Sequence, residues 1–165
     1  MNPATIIHIG TINLHMPSPG VLLSSEELTT RMGFSEQPAS APEGTVVDHD
    51  TGLMWTKATV AADKTWSQAK EAAAAVRLGG FTDWRLPTRK ELLTLVDDTR
   101  FKPAINTDLF ECDPNRYWSS TVDAESPSDY AWGVGFNDGY SSLGYQGYQG
   151  RVRAVRSVLP SASGQ

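Results

Sequence analysis

Hydrophobic and polar positions change their period several times along the chain, and those changes divide it. Near the start, Ile7, Ile9, Ile12, Leu14 and Met16 roughly alternate with other residues around Gly10, which predicts one or two short strands. Ser24 and Glu27 stand three apart as a capping box, and Gly33 ends the short helix they open. SEQPASAPEG then reads as a Pro/Ala/Ser linker. Residues 1 to 43 are expected to form an N-terminal arm and linker that serves attachment or oligomerisation.

A different pattern begins at Gly44. Thr45-Val46-Val47 and Leu53-Met54-Trp55 flank the turn-forming run Asp48-His49-Asp50-Thr51-Gly52, which predicts a β-hairpin. Thr65 and Gln68 form a capping box. Trp66, Ala69, Ala73 and Val76 then recur at helical spacing, and Gly79 is expected to stop that helix. Thr88 and Glu91 repeat the box, with Leu92, Leu93, Leu95 and Val96 as the apolar face of a second helix. Residues 99 to 116 read as irregular. Tyr117 to Thr121 and Tyr130 to Phe136 read as strands, and Asn137-Asp138-Gly139 as a tight turn. A last strand is expected from Arg151 to Val158, with Val152 and Ala154 on one side and Arg151 and Arg153 on the other. Two helices followed by short antiparallel strands predict an α+β domain over 44–158, with 159–165 as a disordered tail.

Composition narrows the function classes. The chain has 165 residues, 39% hydrophobic and 20% charged, as expected of a globular protein. A net charge of −5 speaks against nucleic acid as partner, which rewards a basic surface. No run reaches the length of a membrane span, and the N-terminal residues lack the charge and apolar core of a secretory signal. No membrane insertion is expected, and the chain is expected to be cytoplasmic at synthesis, with a virion or a host-cell cytoplasm left open as its destination. Cys112 is the single cysteine, so no internal disulfide can form.

Five segments, TGLMWTK (51–57), GGFTDWRLPTRKELLTLVD (79–97), YWSST (117–121), AWGVGFNDG (131–139) and VRAVR (152–156), occur in an order and spacing that resembles the collagen-like-adhesin C-terminal domain family, the Lcl C-terminal domain. The resemblance runs from about Gly44 to Val158. It implies a C-type-lectin-like fold, related to formylglycine-generating enzymes. It also implies a ligand-binding role, since members occur in bacterial surface adhesins and bacteriophage genomes, some bind sulfated glycans, and some form trimers. A homo-oligomer, up to a trimer, is the expected assembly. Relatives of the fold use C-terminal strands and loops to bind receptors.

Catalysis is not expected. The formylglycine-type relatives need two cysteines and iron-dependent relatives need several histidines, whereas the body holds Cys112 and His49. Asp113-Pro114-Asn115 and Phe136-Asn137-Asp138 resemble the calcium loops of C-type lectins. Yet calcium takes about six to eight oxygens, and side chains supply roughly four, so no cofactor is assigned and calcium stays an alternative. Trp84, Arg85, Pro87, Trp118, Ser119 and Ser120 read as scaffold, and Arg153 and Arg156 as pins for the last strand.

Residues 139 to 150 point to recognition. Tyr140, Tyr145 and Tyr148 alternate with Ser141, Ser142, Gln146 and Gln149, in the way antibody loops mix amphipathic rings with adaptable polar groups. The 137-to-149 loop, with Asn137 and Asp138 added, is the expected binding face for a cell-surface glycan or protein receptor. A phage-encoded receptor-binding or particle-associated protein is the setting this favours. A structural particle protein, or an intracellular protein that binds and inhibits a host factor, is the alternative.

Overall fold

Eight short strands and two short helices make up residues 41–158, the part of the chain that the computed structural model describes. The strands expected at 7–16, the helix at 24–33 and the tail at 159–165 lie outside the described residues. The class is α+β, with one three-stranded and one five-stranded sheet.

Strands β1 (Thr45–Asp48) and β2 (Leu53–Thr56) form the expected hairpin, with Val46 opposite Trp55. Its turn is held by Asp48, whose carboxylate accepts from the Asp50 and Thr51 amides and from the Thr51 hydroxyl. Every residue of β2 is buried. Leu53 and Trp55 enter one apolar cluster and Met54 the other, so both faces of this strand are covered and strict alternation is absent from its sequence. β8 (Val155–Ser157) pairs with the other edge of β2 and completes the order β1-β2-β8.

The second sheet runs β3-β7-β4-β5-β6, with β3 at Ala61–Lys64, β4 at Arg116–Val122, β5 at Tyr130–Gly135, β6 at Ser141–Tyr145 and β7 at Gly150–Val152. β7 lies parallel to β4; the other pairings are antiparallel. Three parts of this sheet depart from the sequence reading, the first being β3, where no strand was expected. The expected strand 151–158 is two strands in two sheets, with Arg153 and Ala154 as the crossing between them. The crossing breaks the alternation, and Arg153 is buried together with Val152 and Ala154 rather than opposite to them. The expected 137–149 loop contains β6, which pairs with β5 and has Gly144 where a side chain would meet Arg116.

Helix α1 (Trp66–Ala74) has the expected Thr65–Gln68 capping box, and buries Ala69 and Ala73. It ends at Ala74, short of Gly79. Gly79 (φ 63°) and Gly80 (φ 80°) instead form a two-residue turn that joins the Leu78–Phe81 bridge, in the pattern of a type I′ turn. Arg77 Nη1 donates to the carbonyls of Ala74 and Val76 and so satisfies the helix end. Helix α2 (Arg89–Leu93) is capped by Thr88, whose hydroxyl accepts from the Glu91 amide, while Glu91 accepts from the Thr88 amide at 2.8 Å. Leu92 of α2 belongs to the first cluster, with Trp55, Ile105, Tyr117, Val134 and Phe136. α1 packs on the second cluster, around Trp84, Leu86 and Trp118.

Candidate functional site

The β5–β6 ribbon sits at the end of the five-stranded sheet, and its register decides what it shows. Tyr130 stands opposite Tyr145, Trp132 opposite Leu143, and Val134 opposite Ser141. Side chains two apart share a face, so these six share one face. The other face carries Ala131, Gly133, Ser142 and Gly144.

Tyr130 and Tyr145 meet edge to face, with ring centroids 6.0 Å apart, and Tyr145 meets Tyr148 in the same manner at 5.7 Å. The three rings form a ladder over the end of the ribbon. They are exposed by 42% (Tyr130), 47% (Tyr145) and 68% (Tyr148). The turn that follows β6 brings Tyr148 back, its amide donating to the Tyr145 carbonyl. Gly147 makes room for this: a Cβ there would come within 2.7 Å of Tyr145 Cε1.

Gln146 anchors the ladder. Its Nε2 donates to the carbonyls of Pro127 (3.0 Å) and Tyr130 (3.3 Å), its amide donates to Asp129, and its carbonyl accepts from Trp66 at the start of α1. Ser141 and Ser142 also hold the ribbon. Ser141 Oγ accepts from Arg89 Nε (3.1 Å) and Nη2 (2.8 Å), and the Arg89 guanidinium lies 3.5 Å over the Trp132 ring. Ser142 Oγ accepts from Arg116 Nη1 at 3.1 Å. Gln149 is exposed beyond Tyr148.

Arg116, not anticipated from the sequence, bolts the opposite face. Its guanidinium lies where Cβ atoms of Gly133 and Gly144 would be, with Nη2 only 2.6 Å from the Gly144 position. It donates to the carbonyls of Ser142 (2.8 Å), Leu143 (3.2 Å) and Ala131 (3.3 Å). Burial holds its pKa below the usual arginine value. The signal was present as Gly133 and Gly144, two residues without side chains that become cross-strand neighbours once β6 is recognised.

The structure thus separates the expected residues. Tyr145, Gln146, Tyr148 and Gln149 gather with Tyr130, which the sequence reading left out. Asn137, Asp138 and Tyr140 lie at the other end of β6, about 16 Å away at the usual rise of a strand. There Asp138 Oδ1 accepts from the Tyr140 amide and the Asn137 carbonyl accepts from Lys102, which sets the turn. Tyr140 is 75% exposed and stands apart from the ladder.

The lectin-like acidic residues are dispersed. Asp113 Oδ2 lies 3.3 Å from Arg151 Nε, and Asp138 is occupied by its own turn. Among the described residues, no three His, Cys, Asp or Glu side chains come together as a metal-binding set. Cys112 Sγ instead donates to the Tyr117 hydroxyl at 3.5 Å. No described helix is long and apolar enough to cross a membrane.

The residues expected to be scaffold have structural partners. Trp84 Nε1 donates to the Leu78 carbonyl, Trp118 Nε1 to Lys64, and Ser119 Oγ to Trp132. Arg85 makes a two-pronged pair with Glu91 (2.8 and 2.7 Å), and Arg156 pairs with Asp83 while lying 3.7 Å over Phe81. Comparison with curated proteins gives no match. The sequence model of the Lcl C-terminal domain matches residues 44–156, and by that match, which spans more than half of its length, the chain belongs to this adhesin-related family.

Proposed function

We propose that this protein is a non-catalytic recognition module, and that the Tyr130–Tyr145–Tyr148 ladder is its contact surface for a ligand displayed on a cell, glycan or protein. The observation that carries this reading is the exposure of three mutually packed rings on a hydrogen-bonded sheet ribbon. Apolar surface of that kind costs free energy in water unless something covers it. Gln146, Arg89 and Arg116 fix the ribbon before any ligand arrives, so little order is lost on binding.

The two capped helices packed on small sheets support a C-type-lectin-like reading of the body. In that reading residues 1–43 join the module to an oligomer or particle, and a phage-encoded receptor-binding protein is the setting. The test is retention of the labelled full chain on a panel of intact bacterial and animal cells. The double variant Tyr145→Ala, Tyr148→Ala should lose retention by at least about tenfold, the equivalent of ~1.4 kcal/mol. Equal retention of variant and parent would move the contact surface elsewhere.

A further inference from the structure

Resting on the binding-face reading above, we infer that the ligand class of the Tyr130–Tyr145–Tyr148 ladder is an uncharged glycan, held by ring stacking and not by ion pairing.

Three observations lead there. First, the ladder is small. A stable protein interface covers about 800 Å² on each partner, with some 20–30 residues. Here three tyrosines and Leu143, itself 40% exposed, are the large apolar side chains exposed on this ribbon face. Among the described residues, the other exposed large apolar side chains are Tyr140 at the far end of β6, and Phe101 and Leu109 in the 99–116 segment. A sugar chain needs far less area. The flat apolar side of a pyranose fits a tyrosine ring, and with neighbouring rings at 72° to each other one ring supplies the face while its neighbours flank the sugar.

Second, the charged groups around the ladder give it no net sign. Asp129 adjoins Tyr130, and Lys64 pairs with Gly150 just beyond the Tyr148 turn. Lys70 is folded 3.7 Å over the Trp66 ring, whose amide contacts Gln146. The two arginines of the ribbon are already committed, Arg89 to Trp132 and Ser141, and Arg116 to main-chain carbonyls. A sulfated or carboxylated chain would find Asp129 beside the rings, Lys64 and Lys70 at their margin, and, among the described residues of the ribbon, two guanidiniums already bonded elsewhere.

Third, the polar groups beside the rings suit hydroxyls. The Tyr hydroxyls and the exposed Gln149 amide can each donate and accept, which is what a neutral polyol presents.

The experiment is affinity electrophoresis of the full chain in gels containing one polysaccharide each. The neutral set is dextran, galactomannan, xylan and mixed-linkage β-glucan. The charged set is dextran sulfate and heparin. Each gel is run at low and high NaCl, about 0.05 and 0.5 M, a range over which ion pairing is strongly screened. The expected result is retardation by at least one neutral polymer, unchanged by salt and lost in Tyr145→Ala and in Tyr148→Ala. Retardation by the charged set alone, abolished by salt and by the same two variants, would overturn the ligand class and leave the binding face in place. Retardation by a neutral polymer that survives both variants would overturn the face. Failure of every neutral polymer to retard the chain, with cells still retaining it through a protease-sensitive receptor, would overturn the inference in favour of a protein ligand.

Discussion

Arg153 brings a full charge into a site closed to solvent, where three carbonyl oxygens receive it. Nη1 donates to Thr56 (2.6 Å) and Lys57 (2.8 Å), and Nη2 to Glu111 (2.8 Å), while Phe110 and Tyr117 flank the guanidinium. Burying that cation is costly, so the residue does not add stability simply by being charged. What matters is that the carbonyls are left unpaired without it. Each such group costs about 1–3 kcal/mol, and Arg153→Met should lower the unfolding free energy by about 3 kcal/mol or more in a urea titration. Arg153→Lys should recover little, because one ammonium cannot span oxygens on two segments. Its neighbour Tyr117 carries the alkaline limit. Burial, and then the Cys112 thiol bonded to it, push the Tyr117 hydroxyl from the usual 10.0 up to about 12. Between those values the unfolded chain has lost the proton and the folded chain keeps it, so stability falls as pH rises through that window. Full loss would be of the order of 2–3 kcal/mol. Tyr117→Phe should cost about 1 kcal/mol at pH 8 through the lost bonds to Thr59 and Asp113. It should also show a shallower decline in urea midpoint from pH 9.5 to 12 than the parent; parallel declines would contradict the assignment.

At the level of elements, short helices depend on their caps, since α2 spans only Arg89–Leu93. Glu91 serves that helix twice, by accepting from the Thr88 amide and by pairing with Arg85. The Arg85 bond first, and then the Thr88 amide, hold its pKa below the usual glutamate value. A lowered carboxylate pKa means stability that is present above the unfolded value and is lost as pH falls through the folded one. Glu91→Gln keeps an oxygen for the Thr88 amide and should cost about 0.5–1 kcal/mol at pH 7, with little further change on acidification. Urea midpoints of variant and parent should therefore converge as pH falls below the usual glutamate range; a gap that stays constant on acidification would show that the carboxylate charge is not what matters. Both capping boxes were legible because the chemistry lies within four residues. The β1–β2 hairpin was legible for the same reason, its turn being built by Asp48. Two strands were not. β3 contains Ala61, Ala62 and Asp63, with Asp63 at φ 53°, and it is a strand only because β7 lies beside it. β6 reads as SSLGY, too poor in branched residues to declare itself, and it forms because Arg116 replaces the side chains that Gly133 and Gly144 lack. The tyrosines were legible as surface. Their grouping was not, since Tyr130 meets Tyr145 only through the β5–β6 register.

On the scale of the molecule, the two ends of the described chain meet on one strand. β1 pairs with one edge of β2 and β8 with the other, so the last strand closes the sheet that the first one opens. The crossing at Arg153–Ala154 also joins the two sheets, because β7 belongs to one and β8 to the other. Val155 of β8 is fully buried, exchanges two main-chain bonds with Arg85, and contacts the cluster that holds Leu92 and Trp55. Both cores therefore draw on the C-terminal segment, the first on Val155 and the second on Val152 and Ala154. A chain ended after Val152 removes the Arg153 anchor, the third strand of the first sheet, and the Arg156–Asp83 pair in one step. It should show no cooperative thermal transition by calorimetry. A chain of residues 41–158, by contrast, keeps both apolar clusters and both sheets. It should melt in one transition within about 5 °C of the full chain, a difference near 1 kcal/mol for a domain of this size. The same fragment tests the assembly proposed for residues 1–43. Light scattering should give a monomer mass for 41–158 and a multiple of the monomer for the full chain. An associated fragment would place the subunit contact on the α+β body itself, where the outer edge of β6 beside the tyrosine ladder is the first surface to substitute.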